Sequence, residues 1–159
     1  MSDWLPTQRQ KVAVHLTDRR VLRGDVHLQV AQHHSGQETT TDLFNRGEPF
    51  FALVLEDAAP VFIAKGQVLY AEIGPTDADE DADRISAARR VELEVEMADG
   101  SLLEGVVMFE LPPDRLRALD FLNAAPAFFP LWHEEAVRIV NRNHIRAASP
   151  LVDIKRGTS

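Results

Sequence analysis

Asp42-Leu-Phe-Asn45 followed by Phe50-Phe51-Ala-Leu53 returns later in the chain as Asp120-Phe-Leu-Asn123 followed by Phe128-Phe129-Pro-Leu131. Across residues 42–53 and 120–131 five of twelve positions are identical, where composition alone gives about one. Working outward, Leu16-Thr-Asp18-Arg-Arg-Val-Leu22-Arg-Gly24 answers Met97-Ala-Asp99-Gly-Ser-Leu-Leu103-Glu-Gly105. On the far side, Val61-Phe-Ile63 with Val68-Leu69 answers Val137-Arg-Ile139 with His144-Ile145. A unit of roughly 75 residues therefore recurs in tandem, and such a repeat constrains the architecture before any one residue is interpreted.

At 159 residues, the duplicated chain reads as two small units packed or tethered together. A domain that small buries only about 60% of the surface its unfolded chain exposes, so contact between halves or between chains is an expected source of stability. Cysteine is absent, which removes disulfides, thiolate nucleophiles and Cys-based zinc sites and fits a reducing cytoplasm. No window of eighteen apolar residues occurs, so no membrane span is expected and the protein is expected to be soluble. The net charge of −8 opposes a phosphate backbone, because nucleic-acid affinity rests on cations displacing counterions.

Residues 1–9 read as a polar lead-in broken by Pro6, with Trp4 available to dock on the first unit. Val12, Val14 and Leu16 alternate with polar neighbours, and Val26, Leu28 and Val30 do so beyond Gly24, the period of two expected of half-buried strands. Val91, Leu93, Val95 and Met97 repeat the alternation ahead of Asp99-Gly100, a strong hairpin signal. Gly24 and Gly105 fall inside strands at equivalent places, which marks sharp bending or close backbone approach. A polar stretch then leads into the Asp-x-x-Asn segment, which Thr41 or Asp42 caps as a single helical turn. In the second unit Pro112-Pro113-Asp114 offers a longer helix start, so residues 113–123 stand open between helix and strand. Apolar residues at 50–55, 61–64 and 68–73, answered at 128–132, 137–140 and 144–147, complete five short strands per unit. Residues 75–88 read as an acidic, exposed linker. The expectation is a mostly β chain with one unit at 10–74, a second at 89–149 and a tail at 150–159.

The order of these signals resembles the Sm-like superfamily, the small five-stranded barrels that include the Sm and LSm proteins and the bacterial RNA chaperone of that fold. Val12-x-Val14-x-Leu16-x-Asp18, Leu22-x-Gly24-x-Val26 and Asp42-x-x-Asn45 are similar to its first motif. Val91-x-Leu93-x-Val95, Asp99-Gly100, Leu103-x-Gly105-x-Val107 and Asp120-x-x-Asn123 repeat it. Ile63-Ala-Lys65-Gly66-Gln-Val68 and Ile139-Val-Asn-Arg142-Asn143-His-Ile145 are similar to its second motif, a basic residue and a turn between the last two strands. The resemblance covers about 60 residues of each half. It implies two tandem five-stranded Sm-like barrels with short helical turns. It further implies that the Asp/Asn segment and the basic turn hold a uridine base and its phosphate, and that barrels join edge strand to edge strand, so that the two units pair internally or three such chains close a ring of six units.

On that basis Asp42, Asn45, Lys65, Asp120, Asn123 and Arg142 are candidate ligand or RNA contacts, set against the reading in which short polar side chains satisfy backbone groups at turns. Phe50, Phe128 and Trp132 are candidate interface residues: neighbouring strand residues point to opposite faces, so one ring of each Phe pair enters the core and the other is left for contact. Asp77, Asp79, Asp81 and Asp83 alternate as calcium-loop carboxylates do, but Ala82 and Ala88 stand where that loop requires Gly and Glu. Neither His33-His34 nor His133-Glu134-Glu135 has a metal-ligand partner at the needed spacing, so no metal and no cofactor is expected. Arg23-Gly24-Asp25 spells an adhesion tripeptide, but its Gly is accounted for by the bend and the second unit lacks the triplet. No nucleophile, base and orienting acid assemble, so an enzyme is not expected. The leading expectation is a cytoplasmic scaffold or adaptor that binds itself or another protein. The alternatives are single-stranded RNA binding, disfavoured by charge, and a small-molecule sensor with a pocket between the units.

Overall fold

The computed structural model describes residues 7–29, 38–56, 58–75, 89–109 and 117–151. Trp4, most of the expected linker, the expected helix start at Pro112-Pro113-Asp114 and the tail beyond Leu151 lie outside the described residues. The strands of the first half are β1 (Thr7–Leu16), β2 (Val21–Gln29), β3 (Phe50–Leu55), β4 (Pro60–Ala64) and β5 (Val68–Ile73), with the helical turn α1 (Thr40–Asn45) between β2 and β3. The second half repeats them as β6 (Arg89–Met97), β7 (Leu102–Phe109), α2 (Ala118–Ala124), β8 (Phe128–Trp132), β9 (Val137–Asn141) and β10 (Ile145–Pro150). The described part of the segment left open in sequence is therefore helix.

All pairings are antiparallel, and the strands form one sheet in the order β10-β6-β7-β8-β9-β5-β1-β2-β3-β4. The second half's run β10-β6-β7-β8-β9 reproduces the first half's β5-β1-β2-β3-β4. Register repeats as well: Val12 faces Gly24 as Leu93 faces Gly105, and the slip between His15 and Leu16 in β1's pairing with β5 recurs in β10's pairing with β6. The sequence pointed to two tandem five-stranded barrels, able to pair with each other inside the chain; the strands make one continuous, unclosed ten-stranded sheet. The fusion has a simple cause, since β5 bonds both to β1 of its own half and to β9 of the other.

Three local expectations are corrected. The strand β1 starts at Thr7, inside the expected lead-in, because Thr7 and Gln8 pair with Gln29 and Leu28, and their exposed side chains leave no alternation to read. The cap of α1 is Thr39: its hydroxyl accepts from the Asp42 N–H, and the Asp42 carboxylate accepts from the Thr39 N–H, a reciprocal capping box. Pairing with Phe51 and Phe129 also makes Ile63 the counterpart of Val140, so Phe62 corresponds to Ile139 and Pro60 to Val137, one residue off the sequence match. Between the last pairs, Val54 with Pro60 and Trp132 with Val137, the first half holds residues 55–59 and the second only 133–136, and this one-residue difference hides the shift.

Two hydrophobic cores lie on opposite faces of the strands at the middle of the sheet. Val14, Leu16, Val26, Phe44, Leu53 and Val68 anchor the first, and Leu93, Val95, Met97, Leu103, Phe121 and Leu131 the second. The strand β5 serves both: Val68, Ala71 and Ile73 enter the first core and Leu69 and Tyr70 the second. A strand covered on both faces loses the polar alternation of a half-exposed one, which explains its nearly unbroken apolar run. The backbones approach most closely where β2 and β7 meet β3 and β8. A Cβ at Gly24 would lie 2.4 Å from the Val54 carbonyl oxygen, and one at Gly105 would lie 2.7 Å from that of Trp132, so only glycine allows either approach.

Candidate interaction site

The junction between the halves is built as an interface would be. Along β5 and β9, Tyr70 faces Val140, Ala71 faces Ile139, Glu72 faces Arg138 and Ile73 faces Val137. Phe128, Val137 and Ile139 of the second half are buried members of the first core, and the Phe128 ring sits 5.0 Å from the Phe44 ring of α1. Thus the second half completes the first half's interior.

Polar groups fix this register. The side-chain amide of Asn45 donates to the Phe128 carbonyl at 2.8 Å and accepts from the Phe128 N–H at 2.9 Å, reading that peptide as a neighbouring strand would. Asn141 is buried and donates to the Val68 carbonyl at 3.0 Å. His144 Nε2 lies 2.6 Å from the Gly66 carbonyl; because a carbonyl only accepts, Nε2 carries the proton. Glu72 accepts from His15 Nε2 at 3.2 Å and from Arg138 Nε at 3.1 Å, while the His15 ring stacks on Tyr70 with centroids 4.2 Å apart. The hydrogen bond from His15, aided by the Arg138 guanidinium, holds the Glu72 carboxyl below the usual carboxylate range despite its partial burial. Burial, together with the charge of Glu72, pushes the Tyr70 phenol up.

The sequence-derived candidates occupy defined places around this junction. Asn45 spans it, and Asp42 is spent in the α1 capping box. Lys65 is buried, and its ammonium donates to the Arg46 carbonyl at 3.0 Å; desolvation lowers its pKa. Arg142, its counterpart, donates to the Ala125 carbonyl. Both basic residues thus tie down the loop that follows their helix. In the second half the cap position holds Arg117, whose Nε lies 3.5 Å from the Asp120 carboxylate. Asn123 is exposed, and its side chain has no hydrogen bond among the described residues. Phe128 and Trp132 pack on the first core across the junction, whereas Phe50 is 56% exposed. The structure does not gather the six polar candidates into one site.

Sequence reading missed Glu72, Arg138, His144 and Asn141. The one available signal was Asn141, a polar residue closing an apolar strand. A cavity of about 340 Å³ lined by His15, Leu16, Arg19, Asp99 and Ser101 lies where the β1–β2 and β6–β7 turns meet. Its lining is mainly polar, unlike the largely apolar walls usual for small-molecule sites. Among the described residues no three His, Asp or Glu side chains gather as metal ligands, and no helix is long and apolar enough to cross a membrane.

Among the described residues, the free edges of the sheet are β4 and β10. The burial contrast with their internal counterparts is plain: β9 and β5 are almost wholly buried, while β4 exposes Pro60, Val61 and Phe62, and β10 exposes Arg146, Ala147, Ser149 and Pro150. No family model matches the chain, and neither does any curated protein or solved structure.

Proposed function

We propose that the chain is a cytoplasmic, non-catalytic scaffold made of two tandem Sm-like units, which acts by edge-strand pairing with copies of itself or with another protein. One observation carries the reading: the repeat already pairs with itself inside the chain, β9 of the second unit on β5 of the first, and among the described residues leaves the same two kinds of edge free at its ends. An unpaired edge is a template for another chain, and unlike ends favour head-to-tail growth, which closes a ring or runs into a filament. The exposed β4 edge carries Val61 and Phe62, and neither is charged. Natural edges that stay single usually bear charges, bulges or prolines, and β4 has only Pro60, at its first position.

The RNA-binding alternative draws less support. Asn45, Lys65 and Arg142 already satisfy backbone carbonyls, and the net charge of −8 opposes a phosphate chain. Size-exclusion chromatography with light scattering tests the proposal: a mass at a multiple of 17.8 kDa is expected, rising with concentration until a ring closes. A strict monomer that also captures no defined protein partner refutes it.

A further inference from the structure

The internal junction supplies a template for the contact between chains. On its receiving side stand β5, Phe44 and Asn45; inserted against them are β9, Ile139 and Phe128. Register places β10, Leu122 and Asn123 at the receiving positions of the second half, with no occupant among the described residues. It likewise places β4, Phe62 and Phe50 at the inserting positions of the first half, with nothing to enter. Exposure shows the mismatch: Phe50 is 56% and Phe62 70% exposed, where Phe128 is 3% and Ile139 0%.

We infer that the missing occupant is a second copy of this chain, whose Phe50 and Phe62 complete the second core while Asn123 of the first copy grips the partner's residue-50 peptide. The inference rests on the self-association proposed above and adds the residues that choose the partner and its register. The internal pairing carries over to Ala147 facing the partner's Ile63, Ala148 facing the partner's Phe62, and Ser149 facing the partner's Val61. At the next position Pro150 would meet the partner's Pro60, and neither has an N–H to donate, so the ladder stops there. A ladder this short leaves recognition to the inserted rings and the amide grip.

Two variants separate the ends. Phe62→Lys spoils the inserting edge and leaves Asn123 intact; Asn123→Arg spoils the receiving end and leaves Phe62 intact. Each alone should be monomeric in sedimentation velocity, and a mixture should give a 1:1 dimer that grows no further, through the one remaining intact pair. The milder Asn123→Ala should weaken self-association of otherwise unaltered chains by about 10- to 30-fold, the loss expected for two neutral hydrogen bonds. Its melting temperature as a dilute monomer should not change. Assembly that withstands Asn123→Ala within about twofold, or a single-end variant that still dimerises with itself, overturns this inference while leaving self-association standing. A wild-type chain that never associates overturns both.

Discussion

Replacing Gly24 with Ala tests the claim that two backbones nearly touch where β2 meets β3. The added Cβ would sit 2.4 Å from the Val54 carbonyl oxygen and 3.0 Å from its carbon, where ordinary contact begins at 3.4 Å. About 1 Å must therefore be found by moving β3, because the obstacle is backbone and no rotamer relieves it. Overpacking of this kind costs about 1–3 kcal/mol, offset by about 0.4–1 kcal/mol from the stiffer unfolded chain. The expected net loss is about 1–2 kcal/mol, a drop of about 2–8 °C in melting temperature for a chain of this size. Gly105→Ala should behave alike, since its Cβ would meet Leu131 and the Trp132 carbonyl, both at 2.7 Å. Gly47→Ala and Gly66→Ala are the controls, for nothing lies within 4 Å of either added methyl. Thermal melts followed by circular dichroism read all four. If the Gly24 and Gly105 variants melt within about 1 °C of wild type, the close approach does not require glycine and this account of it fails.

Other outcomes follow from the junction. Asn45→Ala should cost about 1–3 kcal/mol by stranding the Phe128 N–H and carbonyl, and hydrogen exchange at the Phe128 amide should quicken; unchanged exchange would contradict the clasp. Phe128→Ala should cost about 3–5 kcal/mol in chemical denaturation, whereas Phe50→Ala in a dilute monomer should cost less than about 0.5 kcal/mol, and equal costs would deny the difference in their surroundings. The pH dependence turns on Glu72, whose carboxyl is depressed in the folded state by His15 and Arg138. Its stabilising contribution is full above the unfolded value of about 4.3 and is lost as pH falls through the lower folded value. Acid melts of wild type should therefore be steeper than those of Glu72→Gln; parallel curves would show that the carboxylate adds nothing.

Much of the fold was legible because it is written twice. The alternation at Val12, Val14 and Leu16, the turn at Asp99-Gly100 and the glycines at 24 and 105 all mark local events, where a residue's neighbours in sequence are also its neighbours in space. Arg19 and Gly100 occupy the same left-handed position, with φ of 75° and 93°, yet only the glycine advertised it. What escaped reading was long-range. The nearly unbroken apolar run Val68-Leu-Tyr-Ala-Glu-Ile73 marks a strand buried on both faces, but nothing local names β9 as its second partner, so internal pairing stood beside the ring as an open alternative. The one-residue difference in the β3–β4 connection misaligned the last two strands for the same reason. At the site, Asn45 was visible as a repeated polar residue, but its partner, a backbone peptide 83 positions away, has no side-chain signature at all.

A strand that contributes side chains to two interiors cannot leave one without opening the other. Loosening β5 would withdraw Val68 and Ile73 from one side and Leu69 and Tyr70 from the other in the same motion. The halves are thereby expected to unfold together, as one transition rather than two. A duplicated chain built in this way gains the coherence of a larger domain, and divergence between its copies is constrained most tightly along the seam they share.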